Sequence, residues 1–561
     1  MQDVIKDHIR EVVGQLFEQS VAVQLDIPDE QFGDYATNIA LQLAKQVGKN
    51  PRDIAQAITE HIEHPAIEHV SVAGPGFINI KLRSDSLATT LQEQIADKTF
   101  GSATVGAGKT VVVDFPSPNM AKPFSVGHLR SATQGWAIAQ LMRRMGYRVV
   151  TDNHFGDYGT PFGRWVVGYL RFSSESALEK DGVYELARVY VAVTEALKQE
   201  AQADESTLAD EVQQWLRKLE DGDEQAVAYS ERFKQLSLDH FHQVMERLGI
   251  QTDYELGESF YIKRGQELVE ELLQKGIAQE SDGAVIVPLD DHGIETPIML
   301  RKANGAALYA TSDLATIEYR QQQWDPEVVF IHTGQEQAFY FQQLKALAQK
   351  AGYRDNIAHL WHGLIDQLNL DTGKREKMSS RKGVVLLESL LDAAETEARK
   401  AMESADERDI RAITLAAIKF SDFIADRKRG LLFDWQSMFS VQGFSGPAVQ
   451  YAAVRIKSIQ HKAGQAHTSI DGYDWQAEHA LLAKTAAYQD VLFELHESHE
   501  LHKLALYLYE LARTFNRYYE ATRIADADEP ARSARLWLID VVGDVLSDGL
   551  DILGIPVPER M

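Results

Sequence analysis

A short basic segment, KPFSVGHLRS beginning at Lys122, carries residue types that bind phosphate groups. Lys122, His128 and Arg130 can donate hydrogen bonds, and Gly127 would let a ligand approach the backbone closely. A β-branched run that breaks at two prolines, TVVVDFPSPN (110–119), precedes the segment, and apolar residues at helical spacing follow it. The segment is therefore predicted to open a helix after a buried strand, where the helix N-terminus favours anions.

The sequence around this segment alternates strands and helices. YRVVTDNHF (147–155) predicts a second strand, so strand, helix and strand form a βαβ unit with the basic segment at the carboxyl end of the first strand. EVVFIHTG (327–334) and AHLWHGLI (358–365) are further candidates for buried strands, and an acidic helical stretch at about 174–248 is predicted to be an insertion. Open α/β sheets of this kind bind ligands outside the carboxyl ends of their strands.

Three segments of different character are expected in the chain of 561 residues. Residues 1–107 combine amphipathic helices with two short strands around a Gly-Pro-Gly turn, which predicts an α+β domain. Residues 108–390 hold the α/β pattern and predict a parallel-sheet domain with the helical insertion. Residues 391–561 are almost purely helical in pattern, and SGPAVQYAAVRIKSI (445–459) is predicted to open a helix bundle.

Composition excludes several classes of protein. The chain has no cysteine, which excludes disulfides, thiolate metal sites and cysteine nucleophiles and suits the cytoplasm. No apolar run reaches the ~18 residues of a membrane span, so no membrane association is expected. The formal net charge of −26 argues against nonspecific coating of nucleic acid, although local basic faces can still bind it specifically.

A second phosphate-binding candidate, GAGKT (106–110), is rejected. The phosphate loop needs a glycine five residues before Gly108, where this chain has Ala103. The segment also precedes a predicted strand, whereas a phosphate loop follows one.

The basic segment and later segments resemble, in the same order, the signatures of arginyl-tRNA synthetases, a family of class I aminoacyl-tRNA synthetases. SPNMAKPFSVGHLRS contains the counterpart of the HIGH signature, and the further matching segments are NHFGDYGTPFG, GES, LYATSDLATIEYR, TGQEQAFYF and KMSSRKG. TNIALQLAK and GPGFINIKL resemble the family's N-terminal domain, while FDWQSMFSVQGFSGPAVQYAAVRI and the terminal VPERM resemble its anticodon-binding bundle. The resemblance covers essentially the whole chain and implies a Rossmann-like catalytic domain between an additional tRNA-binding domain and an all-α anticodon-binding domain.

Two departures from the family's signatures bear on activity. Ser125 stands where HIGH has its first histidine, and Ser380 stands where KMSK has its final lysine. The resemblance offers a compensation, because arginyl members that lack this lysine carry one just before the HIGH loop, where this chain has Lys122. An ammonium group from either loop can meet the same developing pyrophosphate charge, so an active enzyme is expected.

The resemblance implies ATP-dependent activation of L-arginine, with Mg²⁺ bound to the nucleotide, and transfer to tRNA(Arg). It implies catalytic roles for Lys122, His128 and Lys377, and ATP contacts from these three with Ser125, Gly127, Met378 and Ser379. The arginine-binding residues implied by the family pattern are Asn119, Glu258, Tyr309, Asp313 and Gln337. His154 and Asp157 are expected to border the pocket, and Tyr451 and Met561 to contact the anticodon. No zinc or other protein-bound metal is expected, and we expect a cytoplasmic monomer.

Simpler interpretations remain open for these residues. Lys122 and His128 could serve as surface charge and helix cap, Asp313 as the N-cap of the helix LATIEYR, and Tyr451 as bundle core. Rival functions are a synthetase or small-molecule nucleotidyltransferase of another specificity, and a non-catalytic tRNA-binding paralogue. ATP–pyrophosphate exchange across the amino acids, with and without tRNA, separates these rivals.

Overall fold

The structure is a computed structural model that describes all residues except 29, 203–206, 369–374, 378–385, 403–404, 433 and 465–469. Its chain divides into two units. One comprises Met1–Ala103, Ser440–Asp551 and Pro556–Met561, and the other comprises Thr104–Phe439 and Ile552–Ile555. The predicted division after residues 107 and 390 stays a prediction about sequence domains.

The N-terminal segment is built of helices around a small antiparallel sheet. Its elements are α1 (Gln2–Phe17), β1 (Tyr35–Thr37), α2 (Ile39–Val47), α3 (Pro51–His61), β2 (Ile67–Ala73), β3 (Phe77–Leu82) and α4 (Ser84–Ala96). The strand order is β1-β3-β2. The predicted pair of strands around the Gly-Pro-Gly turn is confirmed, because β2 and β3 pair antiparallel across it.

The second unit alternates strands and helices over most of its length. Its elements are β4 (Thr110–Asp114), α5 (Gly127–Arg144), β5 (Arg148–Asp152), α6 (Thr160–Phe172), α7 (Glu175–Gln202), α8 (Thr207–Glu220), α9 (Glu224–Leu248), α10 (Glu258–Gln274), β6 (Gln279–Ser281), β7 (Ala284–Leu289), β8 (Ile294–Arg301), α11 (Tyr309–Trp324), β9 (Val328–Ile331), α12 (Ala338–Ala351), β10 (Ile357–His359), β11 (Ile365–Leu368), β12 (Arg375–Lys377), α13 (Leu387–Ala401), α14 (Glu407–Asp422), β13 (Leu431–Leu432) and α15 (Trp435–Met438).

A parallel four-stranded sheet positions the basic segment. Its order is β10-β9-β4-β5, with every neighbouring pair parallel. The predicted βαβ unit is confirmed as β4-α5-β5, and the segment joins β4 to the start of α5. The strand predicted at 358–365 is shorter than expected, because β10 ends at His359 and the chain leaves the sheet there. β4 thus has β5 on one side and β9 on the other. The order in which strands are added to the sheet therefore reverses beside β4, and ligands bind at such a point in open α/β sheets.

Three helices, α7 to α9, form the predicted helical stretch at about 174–248. They pack against α6 at positions where glycine permits close approach. A Cβ atom on Gly168 would lie 3.0 Å from the Val189 carbonyl oxygen on α7, and one on Gly163 would collide with the Val212 carbonyl oxygen on α8. The insertion is therefore fixed closely to the helix that follows the second strand.

The C-terminal part of the chain is helical, as predicted. Its helices are α16 (Gly446–Ala463), α17 (His479–Ala486), α18 (Tyr488–Ser498), α19 (His502–Ala521) and α20 (Ala531–Ile552). Ser445 caps α16 by accepting a hydrogen bond from the Ala448 N–H at 3.2 Å. None of the described helices combines the length and hydropathy needed to cross a lipid bilayer.

Candidate active site

A cavity of about 410 Å³ opens at the carboxyl ends of β4 and β9. Six of the residues singled out from sequence line it together: Asn119, His154, Glu258, Tyr309, Asp313 and Gln337. They come from loops and helices spread over more than two hundred residues of the chain. The cavity lies where an open α/β sheet binds ligands, beside the strand at which the strand order reverses.

One face of α11 supplies much of the cavity wall. Tyr309, Asp313 and Arg320 on this helix all line the cavity, since residues four and seven apart share a helix face. The alternative interpretation of Asp313 as an N-cap is wrong, because α11 begins at Tyr309 and Leu308 holds the N-cap position. Asp313 thus lies inside the helix with its carboxylate directed at the cavity.

The Asp313 carboxylate contacts the side chains of Tyr340 and His154. The Tyr340 hydroxyl donates a hydrogen bond to Oδ2, and His154 Nε2 lies 3.3 Å from Oδ1. Burial alone would lower the pKa of His154, but the adjacent Asp313 carboxylate and, to a smaller extent, the charge of Asp114 raise it to about 9. His154 is therefore an imidazolium at neutral pH, and a second cation could replace it beside Asp313.

Glu258 brings a second carboxyl group to the cavity from the first turn of α10. Burial raises its pKa to about 8, the His154 charge opposes this shift, and the charges of Asp313 and Asp157 add to it. Two acidic groups that face one cavity can bind a planar cation with several N–H donors. The cavity is therefore suited to a guanidinium group.

Asp157 lies behind the cavity wall. Its carboxylate accepts hydrogen bonds from the Ser259 N–H at 2.8 Å and the Ser259 hydroxyl at 2.6 Å. Lys234 Nζ lies 3.6 Å from the same carboxylate. Asp157 therefore holds the start of α10, which carries Glu258, and is not among the residues lining the cavity.

Sequence reasoning missed a buried ionic group at the floor of the cavity. Arg320 Nη2 donates to Asp114 at 2.7 Å and to Asp152 at 2.8 Å, and all three side chains are buried. Asp114 ends β4 and Asp152 ends β5, so acidic residues at two adjacent strand ends were the available signal. The group ties α11 to the sheet and so fixes where Asp313 points.

The basic segment orders His128 through Ser125. The Ser125 N–H donates to His128 Nδ1 at 3.1 Å, and Ser125 Oγ lies 3.0 Å from the same nitrogen. Burial, together with the charges of Lys122 and His362, lowers the pKa of His128 to about 4, although Ser125 opposes the shift. His128 is then neutral at pH 7, and its Nε2–H remains to donate to a ligand.

Arg130 corrects an expectation from sequence. Its side chain is 2% exposed and donates to Asp422 at 2.6 Å and to the carbonyls of Gly363 and Arg429 at 2.8 Å. It lies one turn into α5 on the inward face, so it holds the helix against later elements rather than meeting a phosphate group.

The cations expected near the phosphate groups are only partly described. Lys122 is exposed, and its Nζ lies 6.0 Å from the centroid of the Tyr190 ring on α7. Lys377 is the last residue of β12, and Met378 and Ser379 lie outside the described residues. Gly127 is exposed at the start of α5.

Tyr451 and Met561, the two expected anticodon contacts, belong to the other unit. The Tyr451 hydroxyl accepts from Arg455 Nη2 at 2.8 Å, and the Arg455 Cζ atom lies 4.5 Å from the Tyr451 ring centroid. Tyr451 is partly exposed. Met561 is also partly exposed.

Three family models match the chain. Residues 90–435 match the catalytic domain of class I (R) tRNA synthetases, residues 449–561 the DALR anticodon-binding domain, and residues 1–82 the arginyl-tRNA synthetase N-terminal domain. These matches cover most of the chain and follow the order that the resemblance implied.

Known proteins and solved structures agree with these matches. The arginine–tRNA ligases of Streptococcus thermophilus and Streptococcus mutans are 35% and 34% identical to the chain, covering all of it and 100% and 99% of their own lengths. The Thermus thermophilus arginyl-tRNA synthetase structure matches with a TM-score of 0.83 at 24% identity, over 100% of both chains. The Plasmodium falciparum structure matches with a TM-score of 0.81 at 23% identity, over 100% of this chain and 99% of its own. The chain therefore belongs to the arginyl-tRNA synthetase family of class I aminoacyl-tRNA synthetases.

Proposed function

We propose that this protein is an arginine–tRNA ligase, which activates L-arginine with ATP and transfers it to tRNA(Arg). The supporting observation is the cavity in which Asp313 and Glu258 both present carboxyl groups. Only a fixed set of acceptors matches the planar fork of a guanidinium group. The family relationship supplies the reaction, and the two acids support the choice of amino acid.

Binding of arginine orients its carboxylate for attack on the α-phosphorus of ATP. The guanidinium meets Asp313 and Glu258, with Tyr309 alongside, while Asn119 and Gln337 hold the α-amino and carboxylate end. The attack forms arginyl-adenylate and releases pyrophosphate, and a ribose hydroxyl of the terminal tRNA adenosine then takes the arginyl group. The residues in this scheme position groups and stabilise charge, and no protein nucleophile is required.

Charge on the ATP phosphates is met by the basic segment. His128 donates through Nε2, Gly127 leaves room for the phosphate chain, Ser125 orders the imidazole, and Lys122 supplies a positive charge. Lys377, Met378 and Ser379 of the second signature are proposed to contact the same phosphates, because the family pattern implies this role for them. Mg²⁺ enters with ATP, held mainly by substrate oxygens and water. No zinc site is part of this proposal.

Recognition of tRNA is assigned to the two terminal domains. Residues 1–107 are proposed to form the additional tRNA-binding domain, and residues 391–561 the helical stem and anticodon-binding domain. Tyr451 would stack on an anticodon base, and Met561 would contact the same region. We propose a monomer that acts in the cytoplasm.

ATP–pyrophosphate exchange across the twenty amino acids, with and without tRNA, tests the function. Arginine-specific exchange that requires tRNA(Arg) supports the proposal. Exchange with a different amino acid would replace arginine as substrate, and retained tRNA binding without exchange would indicate a non-catalytic protein. The charging of tRNA(Arg) with labelled arginine then checks the second step.

Arginine affinity is expected to depend on Glu258 ionisation. Burial raises the pKa of Glu258 to about 8 in the free enzyme. Below this pH the Glu258 carboxyl group is mostly protonated and must lose its proton when the guanidinium binds, which weakens arginine binding. The KM for arginine should therefore fall about fivefold to tenfold from roughly pH 7 to roughly pH 8.5, as the ionised fraction rises. Exchange kinetics over this interval measure the effect.

Glu258→Gln is the matched variant, because the amide keeps the side-chain shape and cannot ionise. Its KM for arginine should be raised and nearly constant over the same interval. An equal pH dependence in Glu258→Gln would assign the titration to another group and contradict the role of Glu258.

A further inference from the structure

We infer that α9 of the helical insertion holds the Lys122 loop in its working position, with Ser237 and His240 as positioning residues. The inference rests on the proposed function, because that function gives Lys122 its role at the ATP phosphates. Nothing in the resemblance to the synthetase signatures involves Ser237 or His240, which lie in the acidic insertion.

Two hydrogen bonds join α9 to the backbone on either side of Lys122. The Ala121 N–H donates to Ser237 Oγ at 2.9 Å, and the Phe124 N–H donates to His240 Nε2 at 3.2 Å. Both bonds are buried. Ser237 and His240 are three residues apart on α9, so a single helix face meets the loop at two points.

The other contacts of Ser237 and His240 favour their acting as hydrogen-bond acceptors toward the loop. The Ser237 hydroxyl donates its proton to the Phe233 carbonyl within α9 at 2.8 Å. The hydroxyl oxygen can therefore act only as an acceptor toward the Ala121 N–H. His240 Nε2 accepts a hydrogen bond and is therefore unprotonated, while Nδ1 lies 3.8 Å from Glu388 Oε2. Burial lowers the pKa of His240, which favours this neutral form.

The loop needs external support because its backbone is strained. Ala121 has a φ of 52°, in the left-handed region that is unfavourable for a residue with a Cβ atom. Lys122 precedes Pro123, which restricts its backbone to extended conformations. Without Ser237 and His240, two buried N–H groups would lose their acceptors, and the loop would relax to satisfy them.

A third contact from the insertion reaches the lysine side chain. Lys122 Nζ lies 6.0 Å from the Tyr190 ring centroid, within range of a weak cation–π attraction. Arg164 Nη1 lies 3.4 Å from the Tyr190 hydroxyl and 3.3 Å from Thr194 Oγ1, which fixes the ring from α6. The insertion therefore contacts both the backbone around Lys122 and its charged end.

The position of Lys122 matters because Ser380 replaces the final lysine of the second signature. The Lys122 loop must then supply the positive charge that the missing lysine would have provided. Misplacement of the Lys122 ammonium group by ~1 Å can lower the rate about a hundredfold. Such a displacement changes transition-state contacts more than ground-state binding, so turnover should fall while substrate affinity is largely kept.

The test compares Ser237→Ala, His240→Leu and His240→Gln in the full-length enzyme by arginine-dependent ATP–pyrophosphate exchange with tRNA(Arg). Ser237→Ala and His240→Leu should each lower kcat about tenfold and change the KM for arginine less than about twofold. His240→Gln should recover most of the loss, since its amide oxygen can accept from the Phe124 N–H. Active-site titration gives the rates per folded enzyme.

Ser421→Ala is the matched control. Ser421 is also a buried helical serine whose hydroxyl donates within its own helix, to the Ile418 carbonyl at 2.6 Å. It has no hydrogen bond to the Lys122 loop in the described structure. Its kcat should stay close to that of the unmodified enzyme.

A double-mutant cycle with Lys122→Ala decides whether Ser237 acts through the lysine. If it does, adding Ser237→Ala to Lys122→Ala should lower kcat by less than about twofold, because the group it positions is gone. An equal tenfold loss in both backgrounds, or unchanged kcat in both Ser237→Ala and His240→Leu, would overturn the inference. If the unmodified enzyme shows no exchange with arginine, the proposed function itself fails.

Discussion

Lys122→Ala is expected to lower kcat for arginine-dependent ATP–pyrophosphate exchange by about a hundredfold to a thousandfold, the usual scale for one charge-stabilising donor. The reason is electrostatic. His128 is neutral because its pKa is lowered to about 4, so it can donate a hydrogen bond but supplies no charge. Ser125 and Ser380 supply none either. The positive charge from the first signature therefore depends on Lys122.

Two variants sharpen this prediction. Lys122→Arg keeps the charge and should lose less activity, although a guanidinium does not reproduce a compact ammonium group. Lys109→Ala is the matched control, because Lys109 is an exposed lysine just before β4, at the strand end opposite the basic segment. Near-normal turnover in Lys122→Ala would contradict compensation for the missing lysine and assign the pyrophosphate charge to Lys377.

The sheet that carries the site was predictable from local sequence. β4 is a β-branched run buried along most of its length, and the prolines after it leave no continuation for the strand. The apolar residues at helical spacing after Gly127 predicted α5 equally well. These elements follow from short-range pattern, because a strand buried on both faces is nearly all apolar.

Side-chain orientation was harder to predict than the elements. Arg130 and His128 are two residues apart in one basic segment, but helix geometry turns Arg130 inward to Asp422 and leaves His128 at the ligand side. Asp313 resembled an N-cap in sequence, and only the observed start of α11 at Tyr309 places it on the face toward the cavity. The same composition thus permits either role until the helix start is known.

Contacts between distant segments carried no local signal. The hydrogen bond from Ala121 to Ser237 spans 116 residues, and that from Phe124 to His240 spans the same number. The Arg320 group joins a helix to two strands and becomes visible only when the sheet brings Asp114 and Asp152 together. Pattern reasoning identifies elements, whereas such pairs depend on how the elements pack.

Asp313→Asn is expected to lower kcat/KM for arginine by about a hundredfold to a thousandfold, mainly through KM. The amide keeps the shape of the carboxylate and can still accept from the Tyr340 hydroxyl, but it removes the charge that faces the guanidinium. Exchange kinetics and direct arginine binding measure the loss. Asp325→Asn is the matched control, because Asp325 is an exposed aspartate at the other end of α11.

The imidazole of His154 reports on the same substitution independently of activity. Burial lowers its pKa, but Asp313, the largest of the opposing influences, and the charge of Asp114 together raise it to about 9. With Asp313→Asn the burial contribution should dominate, so the pKa of His154 should fall to or below its ordinary value of about 6.5. Histidine NMR titration measures this shift. A pKa that stays near 9, with arginine affinity unchanged, would mean that another carboxylate neutralises this cavity and that the guanidinium is bound elsewhere.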